Sequence, residues 1–467
     1  MKRAVLLSAL LLAGCADPKA PVPPEAAVTA PITWRNAVRA SDADVDIHWW
    51  HSFNDPLLTQ IVETALQNND DVAIAAARVA EARAEFRYAR AQLWPSIGFS
   101  GGGGRDRDVN PGFGVPEQQT TGEAEIGISY DLDLFGGLKD SSAAAKANLL
   151  ATEDARDNVR LAVAASAASG YITLYSFDAR LAVLRATLKA RAEELHVAQR
   201  RADAGYSSKL ELAQAQAAYE ETRQLIPATE LAITKQEDAL NLLLGRNPHA
   251  VERGTDFGNL APPFVPVLVP ASLLRRRPDI ASAEQDLAAA DHSLDVARDD
   301  FMPDIDLGAS GGYVGSTLIA GGPVAIWSIG GSILAPVFSA GRLEAKQDGA
   351  TARRDEAAFA YRKTALTAFR EVEDALASVQ RQDEREQTLG AQRDALTRAF
   401  TLARNRYRAG YSSYLDQLDA QRELLSAQLA LVQAHADRLT AAVQLYQSLG
   451  GGWTAPVKKV MRVAESN

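Results

Sequence analysis

Two hydrophobic spacings take turns along this chain. From Gly122 to Leu134 the period is two: Ala124, Ile126, Ile128, Tyr130 and Leu132 fall on one face, and Glu123, Glu125, Gly127, Ser129 and Asp131 on the other. That is a strand with one apolar and one wet face. Ile305, Leu307 and Ala309 alternate with Asp306, Gly308 and Ser310, and Trp327, Ile329 and Ile333 with Ser328, Gly330 and Ser332. A Gly-rich run beginning at Ser96 precedes the first of these, across a polar loop holding Pro111 and Pro116. The spacing predicts four strands, near 96–104, 122–134, 304–314 and 324–334.

Elsewhere the period is that of a helix. Leu138 to Ala204 and Leu343 to Ala409 are both 67-residue stretches without proline. Each would run roughly 100 Å as a continuous helix at about 1.5 Å per residue. Leu366, Phe369, Val372, Leu376 and Val379, then Leu389, Leu396, Phe400, Ala403 and Tyr407, recur at coiled-coil-like steps. The alanine stretches around Ala145 and Ala162 permit close helix approach.

The same sentence is written twice. Gly205-Tyr206-Ser207-Ser208 returns as Gly410-Tyr411-Ser412-Ser413, 205 residues later. The LLLG ending at Gly245 and the QSLG ending at Gly450 keep that offset, as do DLFGGL ending at Leu138 and VFSAGRL ending at Leu343. A period this long marks a duplicated domain, not a solenoid. The expected organisation is 1–14 as signal peptide, 15–50 as an acylated cysteine and extended tether, and 51–250 as a first repeat with a hairpin tip near 205–208. A linker at 251–275, a second repeat at 276–453 with a tip near 410–413, and a tail at 454–467 complete it. In each tip, glycine suits the left-handed close of a helix. The serine three residues on, followed by S-x-x-E (Ser208 to Glu211) or S-x-x-D (Ser413 to Asp416), opens the next helix with an expected capping box.

Net charge is −10, from 59 acidic and 49 basic residues mixed along the chain, so no basic face for nucleic acid is indicated. The single cysteine, Cys15, excludes a disulfide framework and a thiolate metal site. It follows Lys2, Arg3 and a short apolar run, the pattern of a secretory signal. Leu12-Ala13-Gly14-Cys15 resembles a bacterial lipobox, which implies cleavage before Cys15 and its acylation. Ala16 rather than Asp after it resembles the sorting pattern for the outer membrane, and a Pro-rich stretch then reads as an extended tether.

Four amphipathic strands cannot close a barrel, and β structure in a bilayer must be closed. Either the sheet is small and soluble, or several chains share a barrel; three chains would supply about 12 strands, an even number. The lipobox, RRPDIASAE at Arg276, FMPDIDLGASGG at Phe301, RYRAGYSSYLDQLDAQRELLSAQ at Arg406 and LYQSLGGGW ending at Trp453 together resemble the TolC-like outer membrane factors, in their lipoprotein (NodT) subgroup. The resemblance covers nearly the whole mature chain. It implies a mainly α fold with a membrane β-barrel: a homotrimer whose long coiled-coil helices form an α-barrel continuous with a shared 12-stranded β-barrel. A belt of shorter segments near Leu244 to Pro270 and after Trp453 would surround it. The implied partners are outer-membrane lipid, a periplasmic adaptor and an inner-membrane RND-type transporter that supplies the energy for multidrug efflux.

The family places the hairpin tips at the periplasmic entrance, so Gly205, Tyr206, Ser207, Ser208, Gly410, Tyr411, Ser412 and Ser413 are implied adaptor contacts. On the matching positions, Leu415 and Asp419 would form apolar and acidic rings at the aperture, with Asp416 beside them, and Arg406 and Tyr407 would hold the tips closed. The first repeat departs from this, with Gln214 opposite Asp419 and Ala202 opposite Tyr407. A ring of acids attracts cations.

No other motif carries chemistry. His48-Trp49-Trp50-His51 lacks the accompanying ligands of a zinc site. Gly101 to Gly104 lacks the Lys-Ser/Thr of a phosphate loop, and Asp131 and Asp133 sit at a strand end. Neither an enzyme nor a cofactor is expected. Two alternatives stay open: a duct for a type I protein secretion system, and a periplasmic coiled-coil lipoprotein without a pore.

Overall fold

The computed structural model describes residues 19, 21–36, 45–109, 114, 116–254, 256–264, 269–317 and 321–454. The expected signal peptide, Cys15 and nearly all of the tail lie outside them.

The first repeat opens with α1 (Pro56–Asn68) and α2 (Asp70–Ala91). Asp55 caps α1 by accepting from the Leu57 and Leu58 amides, with proline at the first helical position. Two strands follow, β1 (Ser96–Val109) and β2 (Pro116–Asp131), then α3 (Gly137–Asp203), α4 (Lys209–Arg223) and α5 (Leu225–Leu243). The second repeat runs α6 (Pro270–Leu273), α7 (Pro278–Asp299), β3 (Asp304–Ser316), β4 (Val324–Leu334), α8 (Arg342–Arg408) and α9 (Tyr414–Ser448). Both α3 and α8 have 67 residues, as the proline-free stretches predict, each starting one residue early. The duplication is broken after the turns. α9 is continuous, whereas Pro227 lacks the N–H that would bond Arg223, and the first-repeat helix divides at Gln224.

The strands form one antiparallel sheet in the order β1-β2-β3-β4. β1 and β2 extend past the hydrophobic alternation: Arg105, Asp106 and Arg107 still pair with Thr120, Gln119 and Gln118. Backbone bonding carries a hairpin beyond its apolar pattern, and Pro116 is tolerated as the first residue of its strand. The register sorts the faces. Ile97, Ile128, Ala309 and Ile329 make one row across all four strands, and Phe99, Ile126, Gly311 and Trp327 the next. The opposite face carries Ser96 bonded to Ser129 (2.7 Å), Ser310 bonded to Ser328 (2.8 Å), and the pair Asp131 and Asp306. The apolar face is exposed, Phe99, Trp327 and Ile329 among its residues. Asp133, just past β2, turns back to accept from the Leu138 and Lys139 amides and starts α3.

Two compact units divide the chain. The first gathers the described residues up to Ala27, those of Arg78–Glu153 and those of Ser282–Arg362, and so holds the sheet. Small side chains make its helix contacts: Val79, Ala82 and Leu149, with Phe86 against them, and separately Leu294, Ala297 and Ala350. Lys19 pairs with Asp291 and Asp295, at 2.7 and 2.8 Å.

The second unit holds Val28–Ala77, Asp154–Ala281 and the chain from Lys363 on. Here the repeat is visible in atoms. Gly245 and Gly450 both adopt positive φ (63° and 86°) past a helix end. A Cβ on them would lie 2.4 Å from the Asn68 carbonyl oxygen and 1.8 Å from that of Arg276. One residue further on, Asn69 donates to the Leu243 carbonyl and Arg277 to the Ser448 carbonyl, each at 3.0 Å. Arg277 also pairs with Asp279 (2.6 Å) and Glu371 (2.7 Å). The His48–Trp50 stretch lies in this unit: Trp49 is fully buried, stacked on Tyr446 at 5.2 Å.

Candidate functional site: the paired helical turns

Each repeated turn closes its long helix in the same way. Gly205 (φ 76°) donates to Ala202 and Tyr206 to Arg201, while Gly410 (φ 79°) donates to Tyr407 and Tyr411 to Arg406. These are Schellman closures, and only glycine takes the left-handed position without strain. Ser208 then accepts from the Glu211 amide (3.2 Å) and Ser413 from the Asp416 amide (3.3 Å). The tyrosines stand out at 86% and 79% exposure for Tyr206 and Tyr411, while the hydroxyls of Ser207 and Ser412 are buried without a partner among the described residues.

The expectation of two capping boxes is corrected at the first turn. The Asp416 carboxylate reaches back to the Ser413 amide and completes its box. The Glu211 carboxylate instead accepts the hydroxyl of Tyr407, from the other hairpin. Three contacts explain that choice. The Tyr407 ring packs edge-on against Tyr414 (5.6 Å), the Arg201 guanidinium lies 5.0 Å over its face, and the ring abuts the cluster of Ala198, Ala215, Ala218, Tyr414 and Leu418. Burial, with the Glu211 carboxylate next, pushes the Tyr407 hydroxyl up to about 12, so it stays a donor. Arg406, expected beside Tyr407 as a link, is exposed, and its carbonyl serves the turn.

Leu415 is 46% exposed and is not part of the apolar cluster, which is built by its neighbours Tyr414 and Leu418. Leu210, its counterpart, is likewise exposed. Asp416 and Asp419 are exposed one turn apart on α9. Sequence reasoning missed Arg201 and Glu211 as partners of Tyr407. The S-x-x-E spacing had already explained Glu211 locally, and Arg201 lies 206 positions from Tyr407 in sequence.

One group outside the turns has metal-ligand composition. Donor atoms of Asp140, His292 and Asp295 lie within 4.8 Å of one another. His292 bonds Asp140 at 3.0 Å, and the Lys19 ammonium sits on Asp295, so internal partners already serve these groups.

Known proteins resemble this chain along most of its length. The sequence profile of the family described as "Outer membrane efflux protein" matches residues 61–246 and 269–451. The chain is similar to the antibiotic efflux pump outer membrane protein ArpC of Pseudomonas putida, 34% identical over 460 residues that cover 96% of this chain and 94% of the relative. It is also similar to the toluene efflux pump outer membrane protein TtgC of Pseudomonas putida, 34% identical over 461 residues with 96% and 94% covered. Among solved structures, the outer-membrane channel OprN superposes with a TM-score of 0.85 at 27% identity, over 93% of this chain and 99% of OprN.

Proposed function

This chain belongs to the outer membrane efflux protein family and is an outer-membrane channel with a periplasmic extension, and from that premise we propose that three copies build one exit duct of a tripartite pump. Its fold, mainly helical with four strands per chain, is that of TolC-like channels, and its family members are channels rather than enzymes. The duct passes small molecules from a periplasmic adaptor and an RND-type inner-membrane transporter to the outside. Relatives named for antibiotic efflux, toluene efflux and pyoverdine export support small-molecule cargo over polypeptides.

The sheet carries this reading. Its outer strands β1 and β4 each have an unpaired edge among the described residues and run in opposite directions. β4 of one copy can therefore add antiparallel to β1 of the next, and three copies close the ring with about 12 strands and no edge left in lipid. The rows containing Phe99, Trp327 and Ile329 then face acyl chains, and the Ser, Gly and Asp face lines water. A soluble lipoprotein without a pore would hold those aromatic rows in water, against the hydrophobic effect.

In this duct the paired turns form the periplasmic mouth. Leu415 and Asp419 supply the apolar and acidic rings, with Asp416 beside them, and the Tyr407–Glu211 bond ties the two hairpins. Tyr206 and Tyr411 suit the adaptor contact, since exposed tyrosines make effective interface anchors. Acylated Cys15 adds a lipid anchor. The test is mass and conductance together: purified full-length protein in detergent should have three times the chain mass and should conduct ions in planar bilayers. A monomer that conducts nothing overturns the proposal.

A further inference from the structure

Behind the turns, away from their glycines, lies a buried polar layer that neither the caps nor Tyr407 uses. Arg191 and Glu194 come from α3; Gln417 and Gln421 come from α9, about one and two turns past its capping serine. The Arg191 side chain is 1% exposed and donates to the Ala218 carbonyl (2.5 Å) and to Glu221 (3.2 Å), both on α4. Gln417 and Gln421 are buried, and Gln417 donates to Glu194 at 2.8 Å. From α8, Arg404 lies near enough for its charge to act on Glu194, and its Nε is buried.

The layer is under-bonded in a particular way. Glu194 Oε2, Gln417 Oε1 and Gln421 Oε1 are all buried acceptors without a partner among the described residues, as are the donors Arg191 Nε and Nη2. Apolar side chains would pack this position with less penalty, and the flanking cluster of Ala198, Ala215, Ala218, Tyr414 and Leu418 does so. What the polar layer adds is a bond that depends on one proton. As a carboxylate, Glu194 accepts from the Gln417 amide at Oε1 and leaves the two glutamine oxygens unanswered. Once Oε2 carries a proton it becomes a donor, and a glutamine oxygen on the second hairpin can accept it. The proton comes from solvent and returns there, with no other bond changed.

We infer that Glu194 is a positioning residue for the periplasmic mouth: protonated, it clamps the second hairpin to the first, and ionised, it releases one bond between them. The inference rests on the duct reading above. Burial raises Glu194 above the ordinary carboxylate range, against the neighbouring Gln421 and Gln417 amides and the charges of Arg191 and Arg404. The folded state therefore binds this proton more tightly than the unfolded chain. The contribution is fully present below the ordinary carboxylate value and is lost as pH rises through the raised one. The other charged or titratable groups around the layer are Arg191, Glu211 and Glu221 from the first hairpin, and Arg404, Tyr407, Tyr414 and Arg422 from the second. Both tyrosines are pushed up to about 12 and stay neutral.

The experiment compares full-length wild type with Glu194→Gln and Glu194→Leu in planar bilayers from the ordinary carboxylate range, about pH 4, up to about pH 8, because a raised carboxyl titrates above its ordinary value. Wild type should conduct about fivefold less at the acid end, the population shift worth one net hydrogen bond. Glu194→Gln, a permanent donor, should hold the low conductance and lose the Glu194 share of the pH response. Glu194→Leu should conduct more than Glu194→Gln at every pH. Asp416 and Asp419 remain in all three proteins, so the difference between wild type and Glu194→Gln isolates Glu194. If Glu194→Leu fails to fold, the near-isosteric Gln variant still decides. A wild-type pH response retained in Glu194→Gln overturns the inference, as does a conducting wild type with no pH response. A wild type that never conducts overturns the duct itself and the inference with it.

Discussion

Glu211 had two possible employments, and the structure shows which one won. As a cap it would answer an exposed amide, an interaction of about 1 kcal/mol. As the acceptor of Tyr407 it makes a charge-assisted bond to a half-buried hydroxyl, which is stronger. The loser is the Ser208 amide, which goes without the side-chain bond that Ser413 keeps through Asp416. The same distinction separates the two acids of the second hairpin. Asp416 is structurally engaged, whereas Asp419 is exposed on the following turn. Asp419→Ala should therefore raise conductance and weaken divalent-cation block about tenfold, about 1.4 kcal/mol of binding, without moving thermal stability. Asp416→Ala should change block too, but at a loss of about 1 kcal/mol in the cap. Unchanged block in Asp419→Ala, measured by titrating a divalent salt across a bilayer, would remove the residue from the aperture.

Among the elements, the glycines that end helices divide into two kinds. Gly205 and Gly410 serve conformation alone, because nothing among the described residues lies within 4 Å of a Cβ built on either. Gly245 and Gly450 serve conformation and space together, each pressed against a carbonyl of the chain that leads into α2 or α7. This close approach also lets Asn69 and Arg277 reach the helix ends at Leu243 and Ser448. Gly410→Ala should thus cost about 1–2 kcal/mol, the left-handed penalty. Gly450→Ala should cost at least about 2 kcal/mol more, since the backbone must move to admit a methyl group. Thermal unfolding of the two variants side by side checks the order; equal losses would mean that the Arg276 contact yields without resistance.

At the scale of the molecule, membrane attachment has two independent sources in the proposed duct, the shared barrel and the lipid on Cys15. They separate experimentally. Cys15→Ser should abolish incorporation of labelled fatty acid, yet leave the protein in the outer-membrane fraction with wild-type conductance. In that duct the apolar rows of the shared sheet would hold a position that acyl chains, at about 0.8 kcal/mol per methylene, only reinforce. Label persisting in Cys15→Ser would place the acylation elsewhere. Past Cys15, the chain is pinned where it is described: Lys19 holds Asp291 and Asp295, Trp34 is buried against Phe369, and the Arg35 and Asn36 amides bond Glu373.

The strand faces, the two 67-residue helices, the helix stops and starts, and the duplication were all legible in the sequence by itself. All but the duplication depend on residues within a turn or two of one another, so a period or a short motif records them, and the duplication shows as the same short motifs returning 205 residues on. The far ends of β1 and β2 were not legible, because ladder bonds form between backbones whatever the side chains are. Nor were the partners. Glu211 finds Tyr407 at a separation of 196 residues, Glu194 finds Gln417 at 223, and Arg277 finds Ser448 at 171. Only packing selects among such distant groups. A carboxylate that could cap, bridge or stay in water has the same letter in all three cases, and its neighbours in space decide its chemistry.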